Sequence, residues 1–240
     1  MPTRIPALRQ PPVTFAHRGA RAHAPENTLE AFALARRLGA TGVASEVWRT
    51  ADGQVVLDAT GTTGGRLRRR PFASVDRAEL PSSVVALHEL YDHVGDEVEV
   101  ALEVGDPDAV AEAIATARDR GPTVEERLWL RSPDLDLLAG WRPLSSRVRL
   151  VHTARLRELR PGPEPHAARL RQLGVDAVSM HHSDWNGGAV TLFHRFGILA
   201  LAEDAQFERV LAEVVDAGID GVSSDHVDRM VEIVDRFGSR

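Results

Sequence analysis

The chain has 240 residues, of which 43% are hydrophobic, and this is enough to build one sizeable core in a single domain. Cysteine and lysine are absent, since all 29 basic residues are arginine, which excludes thiol nucleophiles, cysteine-ligated zinc, Schiff-base lysines and a phosphate-loop lysine. A formal net charge of −6 argues against broad nucleic-acid binding, which needs a basic face.

The amino-terminal segment differs from the rest of the sequence. Residues 1–12 are rich in proline and have no long apolar core, so they do not resemble a signal peptide. We expect them to form an N-terminal extension and residues 13–240 to form a single barrel domain. No apolar run reaches the roughly 18 residues of a membrane span. We therefore expect a protein without a transmembrane segment that resides in the cytoplasm.

Short β-branched runs alternate with longer amphipathic stretches from residue 13 onwards, which is typical of βαβ units and a parallel sheet. Asn27 or Thr28 can cap the first helix. The fold class predicted is α/β, a single (β/α)8 barrel with residues 49–85 as an insertion after the second strand, because that stretch is too long for one loop. The predicted strands are Val13–His17, Gly42–Val47, Glu99–Glu103, Arg127–Arg131, Val148–Val151, Ala177–Met180, Ile198–Ala202 and Gly221–Ser223.

Polar residues stand at the carboxyl ends of the predicted strands, where the active site of such a barrel lies. Carboxylates that converge there suit a hard divalent cation such as Mg²⁺ or Ca²⁺, and histidine with arginine suits phosphoryl chemistry. The sequence therefore predicts a polar basin at this end of the barrel. Its members are His17 with Arg18, Glu46, Glu103, Arg131, His152, His181, Glu203 and Asp225.

Two motifs identify a known family. The segment Phe15–Ala20 (FAHRGA), followed by Ala24–Phe32 (APENTLEAF), strongly resembles the opening of the glycerophosphodiester phosphodiesterase family. The resemblance continues through Thr50–Gly53, the strand that ends at Glu103 and the segment Asp220–Asp225, so it covers nearly the whole chain. It implies a (β/α)8 barrel that cleaves glycerophosphodiesters into an alcohol and glycerol phosphate with a divalent metal.

The same resemblance implies roles for particular residues. His17 would exchange a proton with the substrate hydroxyl or leaving group, and Arg18 would neutralise phosphate charge through its planar fork. Glu26 and Asn27 would brace that loop from behind. Glu103 would be a metal ligand. The ligand implied is a small phosphodiester or glycerol phosphate.

Four segments depart from the family's pattern. The family has Glu-x-Asp after the second strand, where this chain has Ala44–Glu46 and so lacks one metal carboxylate. A second acid/base histidine followed by aspartate is replaced by Ala59-Thr60, although a shifted alignment makes Asp58 the aspartate. The family's Glu-x-Lys becomes Glu103–Gly105, and Glu203 stands where a tryptophan is usual.

These departures predict low activity by the family's route. The affinity of a hard cation follows the number of charged ligands, so a site with fewer carboxylates should bind metal weakly. Loss of one of two acid/base groups costs about 10²–10⁴ in rate. One hypothesis keeps an enzyme with a rearranged site of Glu46, Glu103 and Glu203, with Asp58 as a further ligand. In it, His17 acts alone with water or with His181 as partner.

The second hypothesis is a catalytically silent barrel. It binds a phosphodiester, a glycerol phosphate or a protein partner through Arg18, and its divalent metal is weakly bound or absent. The combined loss of a ligand, a histidine and a lysine supports this hypothesis, since the fold and the loop around Glu26 and Asn27 persist. The sequence indicates neither the alcohol group of a substrate nor the oligomeric state.

Other polar features are expected to be ordinary. His181-His182 with Asp184 resembles a metal cluster, but adjacent loop histidines point in different directions, so only His181 is expected near the site. The run Arg66–Arg70 is predicted to be a solvated surface that attracts anionic headgroups. Five histidines are expected on helix surfaces or at caps: His88, His93, His166, His194 and His226.

Overall fold

The computed structural model describes residues 6–65 and 68–238. Its eight parallel strands are β1 (Val13–His17), β2 (Gly42–Arg49), β3 (Glu99–Val104), β4 (Leu128–Ser132), β5 (Arg149–Ala154), β6 (Ala177–His181), β7 (Leu199–Glu203) and β8 (Gly221–Ser224). Each strand pairs with its neighbours in the chain, and β1 also pairs with β8, so the sheet closes into a barrel. The predicted (β/α)8 barrel is confirmed, since all eight predicted strands are present.

Helices surround the barrel and connect the strands. None of the helices in the described ranges is both long and apolar enough to cross a lipid bilayer. The first helix is capped by Thr28, whose hydroxyl accepts a hydrogen bond from the Ala31 N–H at 3.1 Å. The helices are α1 (Leu29–Arg37), α2 (Leu87–Val94), α3 (Val110–Arg120), α4 (Pro122–Glu126), α5 (Leu135–Trp141), α6 (Pro163–Leu173), α7 (Gly187–Arg195), α8 (Glu208–Asp216) and α9 (Val227–Gly238).

Side chains on the strands alternate between two apolar layers, because successive residues point to opposite faces of a strand. The outward-facing residues, such as Val43 on β2 and Leu130 on β4, pack under the helices. The inward-facing residues fill the amino-terminal half of the barrel, which leaves its carboxyl half to polar groups. This inner cluster consists of Val13, Phe15, Ala44, Ala101, Trp129, Val151, Ala177 and Leu201.

The residues just before β1 lie across the amino-terminal end of the barrel. The Arg9 N–H donates to Asp220 Oδ1 at 2.9 Å, and the Arg9 guanidinium binds the buried Glu99 carboxylate. Glu99 in turn accepts a hydrogen bond of 2.6 Å from Trp129 Nε1. The barrel is therefore closed by polar contacts at this end, so its accessible interior is at the carboxyl end of the strands.

An insertion follows β2, as predicted, and folds against the barrel. Residues Val55–Leu57 pair antiparallel with β2, and Val85–Ala86 pair with them in turn. In the chain between these two strands, Thr62–Thr63 and Arg70–Pro71 pair as a short antiparallel hairpin. Arg66 and Leu67 of the predicted basic run lie outside the described residues. The insertion has its own apolar cluster, formed by Val56, Phe72, Val75, Leu80, Val84 and Ala86.

Candidate active site

Five polar side chains form a basin above the inner apolar cluster. Each stands two residues beyond a member of that cluster on the same strand, so the alternation of a β-strand places it on the interior face. Alternation therefore places these five strand-end residues around one space. The five residues are His17 on β1, Glu46 on β2, Glu103 on β3, Arg131 on β4 and Glu203 on β7.

Arg131 lies at the centre of this basin and is 8% exposed. Its Nη2 lies 2.8 Å from Glu203 Oε1, and its Nε lies 3.4 Å from Glu103 Oε2. Burial opposes the charged form of Arg131, but the nearby carboxylates of Glu203, Glu103 and Glu46 outweigh it and raise the pKa of the guanidinium. Arg131 is therefore a permanent buried cation.

Hydroxyl groups on neighbouring strands hold the two carboxylates in place. Ser179 Oγ on β6 donates to Glu203 Oε1 at 2.6 Å and accepts a hydrogen bond of 3.3 Å from Arg131 Nη2. Thr153 Oγ1 on β5 donates to Glu103 Oε2 at 3.0 Å. Each carboxylate thus has one guanidinium and one hydroxyl as partners.

Arg18 forms a second ion-pair group beside the first. Its Nη2 lies 2.6 Å from Glu46 Oε1, and its Nη1 lies 3.1 Å from Glu26 Oε2. Its backbone has a φ of 53°, and its N–H donates to the Ala44 carbonyl at 2.6 Å, which turns the side chain towards β2. Burial lowers the pKa of Arg18, but hydrogen bonds to Glu46 and Glu26 outweigh it and raise the pKa. The residue expected to bind phosphate is thus held by two carboxylates.

His17 forms a hydrogen-bonded pair with Asp225. The distance between His17 Nδ1 and Asp225 Oδ1 is 2.9 Å. Because a carboxylate accepts at Nδ1, the neutral imidazole carries its proton there and leaves Nε2 as the acceptor. Arg21 lies beside this pair, with Nε 3.6 Å from Asp225 Oδ2. Sequence analysis assigned no role to Asp225 or Arg131, although both stand at strand ends.

Asn27 lies behind Arg18 and not in the basin. Its Oδ1 accepts a hydrogen bond of 2.8 Å from Ser45 Oγ, and its side chain is buried. Its Nδ2 has no hydrogen-bond partner within the described part of the chain. Together with the contact of Glu26 to Arg18, this position suits the predicted bracing role, which stays a prediction.

The side chains of Asp58 and His181 make no hydrogen bond or ion pair with the five basin side chains within the described ranges, although the Asp58 N–H donates to the Glu46 carbonyl at 3.2 Å and His181 lies beside Glu203 in the strand register. Asp58 Oδ1 instead accepts hydrogen bonds from the N–H groups of Thr60 and Gly61, at 2.7 and 2.9 Å, and so stabilises a turn of the insertion. His181 Nε2 lies 3.5 Å from Asp204 Oδ2, and its Nδ1 lies 2.8 Å from Ser183 Oγ. In this arrangement Asp58 is not placed as a further metal ligand, and His181 is not placed as the partner of His17.

The residues of the basin do not fit a divalent ion as they stand. Each of Glu46, Glu103 and Glu203 faces a guanidinium, so its oxygens are not free to bind an ion. Among the described residues, one group of three places ligand atoms within 4.8 Å of one another: His23, His226 and Asp228, after β1 and β8. Two imidazoles with one carboxylate suit a zinc-like ion better than Mg²⁺ or Ca²⁺.

Gly105 stands where the resembling family has a lysine, and the side chain of Trp48 fills the space above it. A Cβ atom placed on Gly105 would lie 2.4 Å from the Trp48 ring, and one on Gly61 would lie 2.3 Å from the same ring. The indole Nε1 donates to the Asp58 carbonyl at 2.6 Å, which fixes the ring. The lost lysine and the tryptophan are therefore linked sterically.

The expectations for three histidines are wrong. His166 is buried instead of lying on a helix surface, and its Nε2 lies 3.2 Å from Nδ1 of His152. His152 points outwards from β5 towards α6 and not into the basin, because it alternates with inward-facing Val151 and Thr153. His194 is also largely buried, 2.7 Å from Asp220 Oδ2. Burial lowers the pKa of His152 to about 4.

The structure is a closed (β/α)8 barrel with a His-Arg pair and several carboxylates at the carboxyl ends of its strands. This is the architecture of a barrel protein for phosphoryl chemistry. The sequence model of the Glycerophosphoryl diester phosphodiesterase family matches residues 17–229. The chain belongs to this family.

Solved structures of two bacterial proteins are similar to this fold. The glycerophosphodiester phosphodiesterase of Thermotoga maritima superposes with a TM-score of 0.78 at 23% identity, covering 92% of this chain and 98% of that chain. A phosphodiesterase of Oleispira antarctica, solved in complex with the product sn-glycerol-3-phosphate, gives 0.75 at 20% identity, covering 93% and 97%. At these identities the likeness establishes the fold.

A curated relative matches a shorter segment. This is the Probable glycerophosphodiester phosphodiesterase 1 of Mycobacterium tuberculosis, which is 40% identical over 74 residues. The match spans 28% of this chain and 27% of that protein. It supports the family assignment and leaves the activity to be argued from the site.

Proposed function

We propose that this chain binds a glycerophosphodiester or glycerol phosphate at the basin and that its metal-dependent hydrolysis is lost. The observation that carries the proposal is the pairing of Glu46, Glu103 and Glu203 with guanidinium groups. A carboxylate bound in this way is a poor ligand for a hard cation, which needs charged oxygens free to converge on it. Proteins of the family are metal dependent, so this change removes a component of the usual chemistry.

The charges of the site support a small anionic ligand of low charge. Arg18 and Arg21 are partly exposed beside His17, and their remaining N–H groups can donate to phosphoryl oxygens. Five carboxylates face three guanidiniums here, namely those of Glu26, Glu46, Glu103, Glu203 and Asp225 against Arg18, Arg21 and Arg131. The excess of negative charge favours a monoanionic diester over dianionic glycerol phosphate.

A second candidate function is slow hydrolysis without metal. The His17–Asp225 pair favours it, because a carboxylate at Nδ1 orients an imidazole and stabilises its protonated form. His17 Nε2 would take a proton from an attacking hydroxyl and return it to the leaving alcohol oxygen. This function needs neither the missing histidine nor a metal.

The same proposal covers metal affinity, cellular location and nucleic-acid binding. Binding of Mg²⁺ or Ca²⁺ would be absent or too weak to detect at millimolar concentration, because the guanidinium partners of Glu46, Glu103 and Glu203 would first have to move. The protein would be cytoplasmic and would take no nucleic acid.

An assay with glycerophosphocholine and excess Mg²⁺, Ca²⁺ or Mn²⁺ tests the proposal. We expect turnover no higher than that of a His17→Ala variant, and calorimetry should show binding of the diester that Arg18→Ala weakens. His88→Ala, which changes an exposed histidine, is the matched control. Metal-dependent turnover that His17→Ala abolishes would overturn the proposal. Turnover that persists in EDTA but is lost in His17→Ala would favour the second candidate.

A further inference from the structure

We propose that the guanidinium of Arg131 is the resident cation of the basin and holds its carboxylates together in place of a divalent ion. The inference deepens the proposed function and rests on it for the identity of the ligand only. It assigns Arg131 a positioning role, since this residue orders the acidic side chains of the site.

The contacts of Arg131 join strands that are not neighbours. Its guanidinium reaches Glu103 on the adjacent strand β3, at 3.4 Å. It also reaches Glu203 on β7, at 2.8 Å, although β5 and β6 lie between β4 and β7 in the barrel. Ser179 on β6 accepts a hydrogen bond from the same nitrogen that pairs with Glu203. One side chain thus bridges the interior, as an ion bound between these carboxylates would do.

The position of the guanidinium opposes a divalent ion. A cation near the Glu103 and Glu203 oxygens would lie within a few ångströms of Arg131, in a site where little water screens the repulsion. An arginine cannot lose its proton under ordinary conditions, so this opposition is permanent. A lysine or histidine at the same position would lack that property.

One fully buried donor of Arg131 has no hydrogen-bond partner in the described part of the chain. Its Nε–H has no hydrogen-bond partner among the described residues, because Glu103 lies close enough for an ion pair but outside hydrogen-bond geometry. A buried donor without a partner is unfavourable, so it should gain an acceptor when one is supplied. A ligand oxygen in the basin would be that acceptor, which connects Arg131 to ligand binding.

Thermal unfolding in EDTA and in 10 mM Mg²⁺ or Ca²⁺ tests this inference. All proteins would carry His226→Ala, which removes the rim group of His23, His226 and Asp228 as a source of metal response. With Arg131 present, we expect Tm to differ by less than about 1 °C between the two conditions, since no metal binds. Arg131→Met should lower Tm in EDTA by about 5 °C, because it leaves two partly buried carboxylates without their cation.

The response of Arg131→Met to metal is the decisive measurement. Added Mg²⁺ or Ca²⁺ should raise its Tm by about 4 °C if the vacated carboxylates bind at a tenth of the metal concentration. Arg149→Met is the matched control, because Arg149 is also an interior arginine but stacks on Trp129, 4.9 Å from the ring centroid. It should lose stability without gaining a metal response.

Two results would overturn the inference: a Tm raised by metal while Arg131 is present, or no metal response in Arg131→Met. Should Arg131→Met fail to fold, titration of the His226→Ala protein with Mn²⁺, followed by electron paramagnetic resonance, gives the same information. Binding of Mn²⁺ would contradict the inference, and its absence would support it. Failure of the proposed function is distinguished separately, since hydrolysis in EDTA would contradict silence while leaving the role of Arg131 intact.

Discussion

At the scale of single residues, Gly105 shows that a missing functional side chain can have a steric cause. The Trp48 ring lies where a side chain at position 105 would begin, and it is held there by its hydrogen bond to the Asp58 carbonyl. Restoring the lysine of the resembling family would therefore force the indole to move. The Trp48 ring thus leaves no room for a side chain at position 105.

We predict that Gly105→Lys destabilises the protein by about 1–3 kcal/mol, the usual cost of overpacking a filled space. In a Trp48→Leu background the same substitution should cost less than about 1 kcal/mol, because the ring is no longer in the way. Urea denaturation of the four proteins measures this coupling. Gly65→Lys is the control, since nothing lies within 4 Å of a Cβ at that position. Equal costs in both backgrounds would refute the steric explanation.

The residues of the basin could be predicted from the sequence, whereas their pairing could not. Their position at the carboxyl ends of predicted strands indicated that His17, Glu46, Glu103 and Glu203 lie near one another. The ion pair of Arg131 with Glu203 depends on the width of the barrel and on side-chain length. No local pattern contains that information, so the sequence suggested a metal where the structure has a guanidinium.

At the scale of secondary-structure elements, the packing of α6 on β5 buries two imidazoles. His152 and His166 are each 6% exposed and lie 3.2 Å apart, nitrogen to nitrogen. Burial, and then the nearby His166, lower the pKa of His152 to about 4, and burial also lowers the pKa of His166. Both groups are therefore neutral in the folded protein at pH 7.

This pair makes stability depend on pH. In the unfolded chain His152 binds a proton near pH 6.5, whereas in the folded protein it does so only near pH 4. Above pH 6.5 His152 is neutral in both states and does not lower the free energy of unfolding. As the pH falls towards 4, protonation of His152 in the unfolded chain lowers the free energy of unfolding by about 3 kcal/mol at most. Urea denaturation at pH 7.5 and pH 4.5 should show this loss, and His152→Gln should reduce it.

His88→Gln is the control for that measurement, because His88 is exposed whereas His152 is buried. It should leave the pH dependence unchanged. If His152→Gln and His88→Gln gave the same slope of stability against pH, the buried pair would not be the source of the effect.

The strands of the barrel were predictable as elements, and those of the insertion were not. A barrel strand such as Val13–His17 is buried on both faces, so it forms a continuous apolar run that stands out in the sequence. The pieces of the insertion, such as Thr62–Thr63 and Val85–Ala86, are too short to show a period. Their pairing depends on contacts with β2 and with each other, which only the folded chain provides.

At the scale of the whole molecule, the barrel is preserved while its carboxyl face has changed. The inner apolar cluster and the polar contacts of Arg9 and Glu99 support the fold from the amino-terminal half. They do not involve the basin, so substitutions there can accumulate without loss of the fold. Ala44 is an intermediate case, because it belongs to the inner cluster but lies beside His17 in the strand register.

This division predicts how activity could be restored. The triple variant Ala44→Glu, Ala59→His, Thr60→Asp returns the missing acidic and acid/base groups, yet we expect it to stay silent towards glycerophosphocholine. Arg131 would still pair with Glu103 and Glu203, and it would also attract a new carboxylate at position 44, which is only 3% exposed. Metal would remain excluded from the basin.

Adding Arg131→Ser to the triple variant removes that obstacle. The quadruple variant should hydrolyse glycerophosphocholine only in the presence of Mg²⁺, Ca²⁺ or Mn²⁺, and its rate should exceed that of the triple variant by about 10² or more, since both a metal and a second acid/base group are then available. Arg149→Ser in the triple background is the control and should give no activity. Equal activity of the triple and quadruple variants would show that the missing groups alone, and not the arginine, silence the site.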